Sequence, residues 1–117
     1  MRANVSPKRS VFGQRLHHIR LLRGLSQDRL GVLAGLEEAS SSARMSRYES
    51  GVHEPPLQFV ETLARVLDIS AAYFYCSDDR LAEIIWRYSA MSGQQQINIY
   101  NQIVAQTENS AFGGFEP

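Results

Sequence analysis

Arg44 and Arg47 lie three residues apart in this chain of 117 residues. They belong to the short run ARMSRYESG at residues 43–51, in which Met45 and Tyr48 fall on the opposite side of a helix drawn through it. Guanidinium forks pair bidentately with guanine and also hold phosphates, and two arginines so placed are otherwise simply solvated. Ser41 and Ser42, just before them, can bond phosphate or base. Other constellations come to little. His17 and His18 are adjacent, so on a helix they point about 100° apart and do not form an i, i+4 metal pair. Cys76 with Asp78 and Asp79 lacks the spacing of a ligand set, and a core or half-exposed thiol is the simpler reading. No Ser/His/Asp order, phosphate loop or carboxylate pair has supporting context. The expectation is no enzyme, no metal and no cofactor.

Arginines on a short helix need elements to position them. Ser26 is an N-cap followed by Gln27. Leu30, Leu33 and Ala34 then share a face, and Gly35 ends a helix predicted over 26–35. The polar LEEASSS reads as a long turn, with the next helix over 42–50 ending at Gly51. Two short helices joined at a glycine turn make a helix-turn-helix plan, the second slim enough for the DNA major groove. Around them, Phe12, Leu16, Ile19 and Leu22 or Arg23 predict a helix over 10–24. Pro56 opens another over 57–67, with Leu57, Val60, Leu63, Ala64 and Leu67 as its stripe. Ser70 caps a short aromatic helix. Asp78 and Asp79 start one carrying Leu81, Ile84, Ile85 and Tyr88. Ser92 and Gln95 form a capping box for the last, with Ile97, Tyr100, Ile103 and Val104.

The net charge is zero, but its distribution is not even: residues 1–53 hold nine basic and four acidic side chains, a balance of +5, and residues 54–117 hold three and eight, a balance of −5. A positive front half suits a DNA-facing side. The single cysteine excludes an intrachain disulfide and suits a reducing compartment. No apolar run is long enough to span a membrane, and the polar N-terminus does not read as a secretory signal.

The order SQDRLGVLAGL, ARMSRYESG, a Pro-Pro pair, FVETLARVLDI and a short aromatic helix resembles the Cro/phage-repressor type of helix-turn-helix regulator, the xenobiotic-response-element family, over about residues 10–76. The resemblance implies an all-α fold, a compact five-helix repressor-like DNA-binding domain here followed by two additional C-terminal helices. It implies base contacts from Ser42, Ala43, Arg44 and Arg47, and a phosphate held by Gln27 at a helix start, where free N–H groups and partial positive charge favour an anion. It also implies a salt bridge between Arg20 and Glu49. The sequence departs from the family in two places: the turn over 36–41 is around four residues longer than the usual three or four, and Gly31 replaces the usual Ala. After Gly51, where many relatives carry several basic residues, this chain reads Val52-His53-Glu54. The phosphate contacts therefore fall to Ser41, His53, Lys8, Arg9 and Arg15.

The expected organisation is a flexible basic arm over 1–9, the helix-turn-helix domain over 10–76, a helical extension over 77–109 and a loose tail over 110–117. Amphipathic helices in the extension either cover the core or pair with a second copy. Dimerisation is the expectation, through Trp86, Tyr88, Ile97, Tyr100 and Val104. The function expected is a cytoplasmic transcriptional regulator, a repressor that binds double-stranded DNA at an inverted-repeat operator as a homodimer. The alternative is an antitoxin or interaction module that binds a partner protein and autoregulates its operon.

Overall fold

The computed structural model describes residues 9–108. Among these residues all regular structure is helical: α1 (Val11–Leu22), α2 (Gln27–Leu33), α3 (Glu38–Ser50), α4 (Leu57–Leu67), a 3-10 helix (Ala71–Tyr75), α5 (Asp79–Ser89) and α6 (Gly93–Thr107). The starts follow side-chain chemistry. Ser10 Oγ accepts from Gly13 N and Ser26 Oγ from Arg29 N, each at 3.0 Å. Asp78 accepts from Arg80 N and Leu81 N, and Ser92 and Gln95 complete a reciprocal capping box. The N-terminal arm up to Lys8 and the tail from 109 lie outside the described residues.

The core is built from Phe12, Leu16 and Ile19 of α1, Leu30 of α2, Met45 and Tyr48 of α3, and Val60, Leu63 and Leu67 of α4. Tyr73 and Phe74 of the 3-10 helix close it from the side. In α1, α2 and α4, three residues expected in apolar stripes stay outside: Leu22, Leu33 and Leu57 are exposed. Leu22 and Leu33 sit at the ends of their helices and Leu57 opens its own, where the chain has left the packed centre.

The principal correction concerns α3. Its start lies at Glu38, four residues before the expected one, so the connection between α2 and α3 is only residues 34–37. The long turn is instead the first helical turn of α3. Glu37 provides no side-chain cap, so the helix start carries no sequence signal. What holds this first turn is tertiary. Ser41 is fully buried, and its hydroxyl donates to Asp28 O at 2.8 Å. Gly31 makes the space, since a Cβ there would stand 2.0 Å from Ser41 Oγ. Gly35, at φ +101°, turns the chain between the two helices.

Beyond the core, α5 packs inward through Ala82 and the half-buried Ile85 and Trp86. Its opposite face, Leu81, Ile84 and Tyr88, is exposed. Helix α6 buries no residue, and the molecule extends to 54 × 32 × 27 Å.

Candidate nucleic-acid interface

Helix α3 presents its outer face on a fixed base. Glu49, 3% exposed, turns inward and gathers three elements. Arg20 of α1 donates to both carboxylate oxygens, through Nε to Oε2 and through Nη2 to Oε1 at 3.2 Å. Gln27 Nε2 of α2 donates to Oε1 at 3.1 Å, and His17 Nδ1 lies 3.0 Å from the same oxygen. Arg20 Nη1 also donates to Leu25 O at 2.9 Å, fixing the turn between α1 and α2. Burial alone would raise the Glu49 carboxyl. The hydrogen bonds from Arg20, His17 and Gln27, with the Arg20 charge, outweigh it and hold the group below its ordinary value. An ion pair this buried, with its lone pairs satisfied, locks geometry more than it adds stability.

On the outer side Ser42, Ala43, Arg44 and Arg47 are all exposed, as are Ala39, Ser46 and Ser50. Ala39, Ala43, Ser46, Arg47 and Ser50 follow one another at helical spacing and share a face. Ala39 and Ser46 are the residues the sequence reasoning missed. Ala39 was placed in a turn, and with the helix begun at Ser42 the face appeared one turn shorter. Arg44 lies at the edge of this face, where its Nη2 donates to Tyr48 Oη at 3.3 Å. Arg44, Arg47, Tyr48, His53 and Glu54 line a cleft of about 390 Å³ at the C-terminal end of α3. Such a surface, small side chains along one helix flanked by two arginines, fits close against a polyanionic groove.

Several expected phosphate contacts are placed elsewhere. Ser41 is corrected outright, since its hydroxyl is buried against Asp28 O. Arg15 is corrected too. It is 8% exposed, with Nε donating to Cys76 O at 2.8 Å and Nη2 to Asp79 Oδ1 at 2.9 Å. It faces α5 because a guanidinium in that position finds a carboxylate and a free carbonyl together. Gln27 stays half-buried at the α2 start with one amide N–H committed to Glu49. His53 is exposed and Arg9 half-buried at the chain's described beginning, while Lys8 lies outside the described residues. The positive front half is thus partly internal. Arg15 and Arg20 are buried in ion pairs, and Arg23 Nε donates to Leu67 O at 2.9 Å. Arg29, Arg44 and Arg47 are the exposed cations of α2 and α3, with the acidic Glu37 and Glu38 nearby.

Trp86, expected at a dimer contact, is half-buried in its own chain. It faces α1, with its ring centroid 6.4 Å from that of His18 and the Arg87 guanidinium 4.6 Å above its ring. Ala82, four residues earlier and buried, sets that inward face, while Leu81 and Ile84 join Tyr88 on the outward one. Ile97, Tyr100 and Val104 are exposed along α6. Among the described residues, no three His, Cys, Asp or Glu side chains group to hold a metal ion, and no helix is long and apolar enough to cross a membrane.

Comparison with known proteins gives a family and a similar fold. The family model of a helix-turn-helix domain matches residues 11–72. The crystal structure of transcriptional regulator BswR is similar over 80% of this chain and 96% of that one, with 39% sequence identity and a TM-score of 0.75. No curated protein matches.

Proposed function

We propose that this chain, which belongs to the helix-turn-helix domain family, is a sequence-specific DNA-binding transcriptional regulator, acting in the cytoplasm as a dimeric repressor on an inverted-repeat operator. The observation that carries the reading is the outer face of α3. It is exposed, lined with small side chains and arginines, and held rigid from beneath by Glu49. Small residues let the helix axis approach base edges, where Ala43 and Ala39 suit thymine methyls and Arg44 and Arg47 suit guanine. Arg29, His53 and the remaining N–H of Gln27 are set for phosphates. Two α3 helices carried by a two-fold dimer would enter successive major grooves about 34 Å apart and exclude polymerase from the site.

The dimer contact is assigned to the outward faces of α5 and α6. Large apolar side chains left exposed in number on helix faces mark an interaction surface, and Leu81, Ile84, Tyr88, Ile97, Tyr100 and Val104 are exposed along α5 and α6.

The test is selection of bound sequences from a random duplex pool at about 150 mM salt, which suppresses nonspecific binding. Enrichment of an inverted repeat with half-sites about one turn apart is expected. Arg47→Ala should then relax base preference at one position and cost about 1–3 kcal/mol on the selected site. Equal losses on selected and random DNA would remove Arg47 from base reading. No enrichment at all by a folded protein would favour the alternative, an interaction module or antitoxin that binds a protein partner.

A further inference from the structure

A second concavity lies away from α3, between α1 and α5. It encloses about 430 Å³, within the range of small-molecule sites, roughly 300–1,000 Å³. Arg15 and His18 reach it from α1, Tyr73 from the 3-10 helix, and Asp79, Trp86 and Arg87 from α5.

Its charges are internally balanced. Arg15 is paired with Asp79 at 2.9 Å and Arg87 with Glu83 at 2.7 Å. Burial, with the neighbouring Arg15 charge, pushes the His18 imidazole below its ordinary value. Burial pushes the Tyr73 hydroxyl up to about 12, so that it stays protonated. Tyr73 Oη and His18 Nδ1 are hydrogen-bonded at 2.7 Å, with the donor set by the imidazole tautomer. A cationic ligand would sit beside two guanidiniums and an anionic one beside two carboxylates, so the lining selects a neutral molecule.

Its hydrogen bonding is not balanced. Asp79 Oδ1 is used by Arg15, but Asp79 Oδ2 is buried and accepts no hydrogen bond from the described residues. A buried carboxylate oxygen left unpaired is costly, and an incoming N–H or O–H donor would relieve it. The wall is aromatic: the His18 ring is 6.4 Å from the centroids of both Tyr73 and Trp86. Flat rings stack or pack edge-on against such a wall.

We propose that this cleft binds a small, neutral, planar molecule carrying an N–H or O–H donor, with Asp79 Oδ2 as the acceptor and Trp86 as the wall. Because α1 carries Arg20 of the Glu49 network and α5 leads into α6, occupancy changes the setting of the outward apolar face against the DNA-facing helix. This regulatory half rests on the DNA-binding reading; the site itself does not.

Trp86 is the only tryptophan, so its emission reports the cleft directly. The full chain, without DNA, is titrated with benzamide and with N,N-dimethylbenzamide, which keeps the ring and carbonyl but has no donor. Benzamide should give a saturable change in Trp86 emission, and the dimethyl compound should bind about tenfold or more weaker. Asp79→Asn should weaken benzamide by a similar factor with circular dichroism unchanged. If that variant fails to fold, the ligand pair on the unmodified chain still decides. Equal affinities for the two compounds, or no saturable response up to about 50 mM, a range that covers the weak affinity of so small a fragment, overturn the site. Repeating the titration on the DNA complex tests the regulatory half, which falls if binding occurs but operator affinity is unchanged. A failed operator selection leaves the DNA-free result standing on its own.

Discussion

Gly31→Ala tests how α2 and α3 are locked together. On helix propensity alone the substitution should stabilise, by about 1 kcal/mol. The packing reverses the sign. A Cβ at Gly31 would lie 2.0 Å from Ser41 Oγ and 2.9 Å from Met45 Cγ. The Met45 side chain can bend, but Ser41 is fully buried and anchored to Asp28 O at 2.8 Å. Accommodating the methyl means giving up that hydrogen bond, about 1 kcal/mol, and pushing α3 outward, an overpacking cost of about 1–3 kcal/mol. Against the propensity gain, the net loss is about 1–3 kcal/mol, or a fall in Tm of roughly 5–15 °C for a domain this size. Ser41→Ala alone loses only the hydrogen bond, about 1 kcal/mol. The double variant removes the clashing oxygen and keeps the better helix former, so it should return to within about 1 kcal/mol of the parent. Urea unfolding followed by circular dichroism measures all four proteins. A Gly31→Ala protein at least as stable as the parent, or a double variant as damaged as the two singles added, would refute this account of the α2–α3 contact.

Glu49→Gln should cost about 3–5 kcal/mol at neutral pH, because Arg20 is left buried without its counter-charge. The Glu49 carboxyl titrates below its ordinary 4.5 in the folded chain, so its contribution is fully present above that value and is lost as pH falls through the lower folded one. Urea midpoints between about pH 3 and 7 should show this acid limb in the parent and not in Glu49→Gln; an identical pH slope in both would place the acid sensitivity elsewhere. For the dimer, sedimentation equilibrium should give twice the 13.2 kDa chain mass. The double substitution Ile97→Asp with Tyr100→Asp should give the monomer with helicity retained, since α6 buries no residue. A parent chain that sediments as a monomer would end the assignment of that face.

Side-chain caps and apolar spacing made most of the helices legible. Helices α4 and α6 lie where Pro56 and the Ser92–Gln95 box place them, and Ser10 and Ser26 cap their helices as single residues should. The start of α3 was not legible, for the same reason in reverse. Glu37 makes no side-chain cap bond, and the first turn is polar except for what Ser41 does. A serine reads as a loop or surface residue until its hydroxyl is seen inside, bonded to a carbonyl of the preceding helix. The departure at Gly31 and the apparent long turn are therefore one feature. The glycine vacates the volume that Ser41 fills, and the helix gains a turn instead of the loop gaining residues. Charge was misread similarly. Nine basic residues in the first half suggested a broad positive face, yet Arg15 and Arg20 are buried in ion pairs and Arg23 reaches the end of α4. Counting cations in a sequence gives the potential at long range, not which of them reach a phosphate.

The positions of Arg15 and Trp86 bear on the spacing of the two α3 helices in the proposed dimer. If the dimer forms through α5 and α6, the separation of the two α3 helices depends on how firmly α5 is fixed to its own domain. That junction is made by Ala82 and Ile85 against the core, by Arg15, with its bonds to Asp79 and Cys76 O, and by Trp86 against His18. It is partly polar, contains an unpaired carboxylate oxygen and borders a cleft. On the proposed function, the surface offered to DNA and the spacing of its two copies would thus be set by different parts of the molecule. Glu49 fixes the surface through a closed network around a buried ion pair with Arg20, whereas the spacing passes through a junction that borders a cleft. A two-fold regulator built this way can keep its base preference while its preferred half-site separation shifts, because a few degrees of rotation at α5 move the far α3 by ångströms and leave the contacts of Glu49 intact.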